Sequence, residues 1–393
     1  MTSNDKRILT AILIGAFLAR LTAAIIVPNQ GFPDAQRILE LAHQFWHTFQ
    51  ISSPHVMPLY PILIAITGGG WGQLLLDISL STASVWLVYA LAWEVFGDRV
   101  AALMAAAGAA LYPYFIFYSV LGLTETLFIA LLLAAFLAWY RGAFLIAAIF
   151  AVLGILTRPS IDLLVPVLVV YFAFVIHHCD LRSTGRQILV YGLVYVALMS
   201  PWWLHNYVAY GSFVRLNLAS GFVLYSGNNP MNQSGGSILG VDLDSHRFDY
   251  ISDPVARDRA FGDAAVSYIK EHPARFVELA WLKFVRFWQP WPYAQEYKSS
   301  FYVVVSILSY GPILLLSLIY LALWGRHDLR KIAPILVFIA YLTAVHSVLI
   351  TSIRYRLPIE PFLIIFASVA LRRILGTVWT FAPASIVKQP SGG

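Results

Sequence analysis

The sequence predicts an all-α, polytopic membrane protein, and three observations carry that prediction. Hydrophobic residues make up 59% of the 393 positions and charged residues only 12%, against roughly 25% charged in soluble domains. Apolar runs of about 20 residues, the length that crosses a bilayer, recur along the chain. Lys and Arg gather at alternate ends of those runs, as the positive-inside bias requires. A mean hydropathy of +0.72 leaves more apolar surface than one soluble core can bury. The net charge of +6 is scattered over run ends, so no nucleic-acid partner is expected. Cys179 is the sole cysteine, which excludes an intramolecular disulfide and argues against a cysteine metal site.

In chain order, ten spans are expected, at about 8–27, 72–96, 100–117, 122–140, 143–158, 161–177, 187–205, 301–324, 332–351 and 359–376. Lys6 and Arg7 before the first run resemble a signal peptide. The run is long and no clear cleavage site follows, so it is expected to remain as a span. With both termini cytoplasmic, Arg99, Arg141, Arg182, Arg186, Arg326, Arg330, Lys331, Arg372 and Arg373 all fall on the cytoplasmic side. The whole of 1–393 is expected to form one membrane domain. Its outer loops are at about 28–71 and 206–300, and a short cytoplasmic tail occupies 377–393.

The first outer loop opens with Asp34 and continues as an amphipathic helix. Leu39, Leu41, Phe45 and Trp46 are its apolar members; Arg37, Glu40 and His43 are polar. Such a helix would lie on the bilayer surface and hold a carboxylate at the water–lipid boundary. The second outer loop starts with Ser220-Gly221, Gly227-Asn228-Asn229-Pro230 and Gly235-Gly236, a composition that reads as loop. Asp253-Pro254 then caps a helix through Lys270. After His272-Pro273 follows an interfacial helix with a Trp288 anchor.

Charged residues in so apolar a chain are the candidates for chemistry. Glu125 follows Thr124, so one reading is a helix cap with an acid in the first turn, and the other is a functional carboxylate. Arg158 lies in an outer connection, where arginine is uncommon; its partner would be an anionic ligand, or else Asp162 or another acid. Arg354-Tyr355-Arg356 joins the last two spans, and a guanidinium fork matches a phosphate. The other reading is snorkelling to headgroups. Arg20 is expected to face other helices rather than lipid. His205 and Asn206 would bind sugar hydroxyls or serve structure. His55, His205 and Asp34 could share a metal, though no spacing supports it. There is no Walker loop, GxGxxG or GxSxG. Polar residues lie on the outer face rather than through the spans, which favours an enzyme fed by a lipid over a flippase or transporter.

In this order the features resemble the GT-C glycosyltransferases, specifically the protein O-mannosyltransferase, lipid A aminoarabinose transferase and lipopolysaccharide-core galacturonosyltransferase group. The matching pieces are Asp34 with its helix, Pro58-Leu59-Tyr60-Pro61, Glu125 in LTETLF and Thr157-Arg158-Pro159. They continue with Pro201-Trp202, His205-Asn206-Tyr207, SGFVLYSGNNP, Lys283 with Arg286-Phe287-Trp288, and Arg354-Tyr355-Arg356-Leu357-Pro358. Ala35 stands where relatives often carry a second acid.

The resemblance implies inverting transfer of a sugar from a polyprenyl-phosphate donor to a hydroxyl of an envelope glycolipid, glycan or protein. The site would lie on the outer face of a bacterial inner membrane. Asp34 would be the general base. Glu125 would orient the acceptor or hold a divalent ion, with Asp34 and Glu125 the ligands if a metal is used. Arg158, Lys283, Arg354 and Arg356 would bind the donor phosphate. His55, Tyr60, His205, Asn206 and Tyr355 would contact substrate. A glycan polymerase or ligase would share the lipid-phosphate donor, and product mass separates it from single-sugar transfer.

Overall fold

The computed structural model describes residues 2–27, 31–233, 235, 244–293 and 299–381, with side chains to 376. Among these there is no strand. The first long helix, α1 (Ser3–Ile26), is closed at its start by a Thr2–Asp5 capping box. Two short helices, α2 (Pro33–Thr48) and α3 (Leu59–Thr67), lead to α4 (Gly70–Phe96). In α2 the buried face is Ile38, Leu41 and Ala42, while Leu39 and Trp46 are exposed.

The third apolar run is not one helix. Pro113 biases Tyr112 to extended backbone and splits the run into α5 (Arg99–Leu111) and α6 (Pro113–Tyr118). The carbonyls freed at the break are taken by Arg20, whose guanidinium donates to Ala110 O (3.2 Å), Ala109 O (3.4 Å) and Ser81 Oγ (2.7 Å). Arg20 therefore faces helices, as expected, and is fully buried. Alanines 101, 102, 105, 106, 109 and 110 form the buried face of α5 and let it pack closely on α4 and a later helix, α17 (Glu360–Phe381).

At the centre lies α7 (Glu125–Tyr140), apolar and buried on nearly every side, paired with α8 (Phe144–Ile155). A 3-10 turn at Pro159–Ile161 delays the next helix, α9 (Val165–Tyr171), which runs into a π-helical turn at Phe172–Ile176. Helix α10 (Leu181–Tyr210) continues through Pro201, so the segment expected to close a span is helical throughout.

The second long loop contains a correction. Ser220–Gly227, read as loop for its glycines, is a helix, α11. Its glycines serve packing rather than a turn: a Cβ on Gly221 would lie 1.9 Å from Asp258 O, and one on Gly227 would lie 1.8 Å from Leu349 O. Gly236 lies outside the described residues. Helices α12 (Pro254–Glu271), capped by Asp253, and α13 (Pro273–Trp288) fall where expected. Then come α14 (Ser300–Leu323), α15 (Gly325–Val348), the short α16 (Ile353–Arg356) and α17. The expected tail lies outside the described residues from 382 onward.

Every expected apolar run falls on helix. Among the described residues, five helices are long and apolar enough to cross a membrane: α1, α4, α10, α14 and α15. Four shorter apolar segments (Arg99–Leu111, Glu125–Tyr140, Phe144–Ile155, Val165–Ile176) accompany them, so ten full-length spans do not follow from helix length. The basic residues expected on one side do gather at one end of the bundle, in the pairs Arg99–Asp5, Arg141–Glu94, Arg372–Asp98 and Arg373–Asp328.

Candidate active site

The opposite end of α7 carries the site. Glu125 is its first residue and has no exposed surface. Thr124 does not cap it through its side chain; its hydroxyl instead accepts from Arg158 Nη1 (3.4 Å). Arg158 Nη1 also donates to Glu125 Oε1 (2.5 Å). Asp162, the rival partner for Arg158, is occupied elsewhere: Arg215 pairs with it and Tyr195 donates to it (2.7 Å).

Arg354 meets the same carboxylate from the other side. Its Nε pairs with Glu125 Oε1, and its Nη1 reaches Asp34 Oδ2 at the start of α2. Burial opposes the Arg354 charge, but Glu125, Tyr355 and Asp34 outweigh it and raise the pKa above its already high ordinary value. Two guanidiniums thus converge on one buried acid, with a second acid, 61% exposed, at the mouth. Glu125 Oε2 is buried without a hydrogen-bond partner among the described residues. Arg354 occupies the space between Asp34 and Glu125, so this pair does not fit a divalent cation without expelling a guanidinium. Among the described residues no three His, Cys, Asp or Glu side chains converge as metal ligands.

Except for Tyr355, the other expected site residues stand apart from this cluster. Arg356 is fully buried: it pairs with Glu360 (2.7 Å), donates to Gln289 O (2.7 Å) and lies over the Tyr310 ring. It fastens α13 to α17 and does not reach the cluster. Lys283, also without exposed surface, donates to Val348 O (2.8 Å) and Leu349 O (3.0 Å), and lies 3.2 Å from both Gly227 O and Asn228 Oδ1. Burial pushes its pKa down to about 7. Four oxygens oppose that shift, because only the ammonium has three protons to give. Lys283→Met should lower stability by about 3 kcal/mol or more by stranding helix-end carbonyls, read as a lower thermal midpoint in detergent. An unchanged midpoint would refute the tie.

His55 Nδ1 donates to Leu218 O (2.6 Å) and Asn217 Nδ2 to His55 O (2.7 Å), joining the two outer loops. Burial holds its pKa below the ordinary 6.5. His205 Nε2 donates to Ile51 O (3.0 Å) while its ring stacks on Trp202. Asn206 donates to Val214 O (3.1 Å). Tyr60 is buried and its hydroxyl donates to Asp77 Oδ2 (2.6 Å). In the structure, therefore, these four side chains are bonded to protein groups. Tyr355 does lie in the cluster, stacked on His346 and with Arg158 Cζ 5.4 Å from its ring centroid. His346 was missed by sequence reading, since a lone histidine in an apolar helix has no local signal.

An open apolar groove of about 490 Å³ runs between α13 and α15, lined by Phe284, Trp288, Ile339, Thr343 and Ser347 among others.

No known sequence family and no curated relative matches the chain. Solved structures do. The archaeal oligosaccharyltransferase AglB from Archaeoglobus fulgidus, in complex with an inhibitory peptide and a dolichol-phosphate, aligns over 99% of this chain and 53% of its own, at 16% identity and a TM-score of 0.55. The Archaeoglobus fulgidus oligosaccharyltransferase tethered to an acceptor peptide aligns over 95% and 50%, at 13% identity and 0.59. ArnT from Cupriavidus metallidurans, bound to undecaprenyl phosphate, aligns over 95% and 61%, at 14% and 0.50. This chain spans about half the length of the oligosaccharyltransferases. Over nearly its whole length the chain shares the fold of these solved structures, the GT-C fold expected from its sequence.

Proposed function

We propose that the chain transfers a sugar from a polyprenyl-phosphate donor to an acceptor hydroxyl, with inversion, on the outer side of a bacterial inner membrane with both termini cytoplasmic. The observation that carries this reading is the convergence of Arg158 and Arg354 on buried Glu125 beside exposed Asp34. As the acceptor oxygen attacks the anomeric carbon, Asp34 takes its proton. The bond from that carbon to the phosphate oxygen breaks, and the electron pair leaves with the lipid phosphate. Arg158 and Arg354 stabilise the growing charge. The guanidinium that holds Asp34 at rest turns to the phosphate when the donor arrives, which releases the base. The prenyl tail lies in the groove between α13 and α15.

Purified protein in proteoliposomes, given polyprenyl-phosphate sugars and envelope glycolipid, glycan or peptide acceptors, should yield a product heavier by one sugar. A multi-sugar increment would mean a polymerase or ligase. Movement of the lipid across the bilayer without glycosidic product would mean a flippase and would overturn the reading. Arg354→Ala should raise the donor KM about tenfold or more, the value of a charge-assisted contact. An unchanged KM would remove Arg354 from the phosphate.

A further inference from the structure

The arginine pair does not stand by itself. The Arg158 guanidinium lies 5.4 Å from the Tyr355 ring centroid. Tyr355 also stacks on His346, at 4.5 Å and 9°. His346 in turn faces Phe287, at 6.0 Å and 13°. Four flat groups, from the connection after α8, from α16, from α15 and from α13, thus follow one another in a column of pairwise contacts.

His346 is fixed within that column. It is 7% exposed. Its Nδ1 donates to Ile350 O at 3.0 Å, since a carbonyl has no proton to offer. Thr343 and Ser347, on the same helix, line the apolar groove together with Phe284 and Trp288, which flank Phe287. His346 thus lies in sequence between groove-lining residues of α15 and stacks on Tyr355 of the charged cluster.

The hydrogen bonds of Arg158 give the column its purpose. Among the described residues they all leave from Nη1, to Glu125 and Thr124. One pivoting atom does not fix the plane of a guanidinium. An aromatic face against it does, because stacking holds the planar group in register. Nε and Nη2 then remain available to an anion in a defined direction.

We infer that His346, acting through the Tyr355 ring, is the positioning residue that orients Arg158 toward a lipid phosphate and sets the register between that phosphate and its tail in the groove. This rests on the donor proposed above. His346 touches no reacting atom and works by keeping Tyr355 flat against the guanidinium.

The test is binding of undecaprenyl phosphate to the full chain in nanodiscs. His346→Ala should weaken the Kd about tenfold. His346→Phe keeps a ring in the column and should stay within about twofold of the native chain. In an Arg158→Ala background, His346→Ala should have no further effect, because its influence passes through that arginine. A purely structural defect would instead add to the loss. Additive losses, or His346→Phe as weak as His346→Ala, would overturn the inference. If His346→Ala does not fold, Tyr355→Leu removes the ring next to Arg158 and takes its place in the same cycle. The donor reading fails separately: it falls if the native chain shows no saturable binding, or if Arg158→Ala binds as well as native. Weakened binding in Arg158→Ala with none in His346→Ala sinks the positioning role alone.

Discussion

Asp34→Asn should lower kcat by roughly 10²–10⁴-fold, the range that a positioned general base supplies, while leaving donor binding within a few-fold. The side chain is 61% exposed and its ion pair is with Arg354. Asparagine keeps an oxygen for that guanidinium and loses only the ability to take a proton. The thermal midpoint should therefore stay near the native value. Transfer assays and thermal melts on the same preparation separate the two quantities. Native turnover in Asp34→Asn would dismiss this residue as the base, and a collapsed midpoint would make its role structural.

Glu125→Gln should behave in the opposite way, failing in stability as well as activity. Glu125 is fully buried and faces two part-buried arginines. Removing one partner of a buried ion pair costs about 3–5 kcal/mol, because the remaining charge is stranded. Here two cations are stranded side by side. Undecaprenyl phosphate brings back negative charge, so it should raise the midpoint of Glu125→Gln more than that of the native chain. Equal shifts would argue that the lipid phosphate does not reach these arginines. An unaltered midpoint without lipid would mean that Glu125 does not anchor the cluster.

The fold was legible because its signals are local. Apolar run length and the positions of Lys and Arg each need a window of some 20 residues, and each run did become helix. What escaped was where backbone meets backbone. Gly221 and Gly227 look like loop glycines, yet they are small so that α12 and the end of α15 can approach. Pro113 should have warned that the third run is broken.

The site was partly legible, since ions in an apolar chain stand out. Asp34, Glu125, Arg158 and Arg354 were all conspicuous and do meet. Arg356 was conspicuous and misplaced. Two residues apart on a helical turn, Arg354 and Arg356 point in nearly opposite directions, so one reaches the cluster and the other the interior. Its spacing of four from Glu360 was the available clue. Lys283 could not have been read this way, because three of its four partners are backbone oxygens, up to 66 positions distant, which carry no side-chain signature.

Arg20 imposes an order of events on the making of this protein. It belongs to α1, but its partners Ser81, Ala109 and Ala110 follow 61 to 90 residues later. Until they are synthesised, α1 carries an uncompensated arginine, a cost of about 2.5–3.5 kcal/mol at a helix centre on insertion scales. Helix α1 should thus stay beside the insertion machinery, or sit shallow in the lipid, until α4 and the α5–α6 break arrive. Biogenesis, and not only the finished fold, depends on that break.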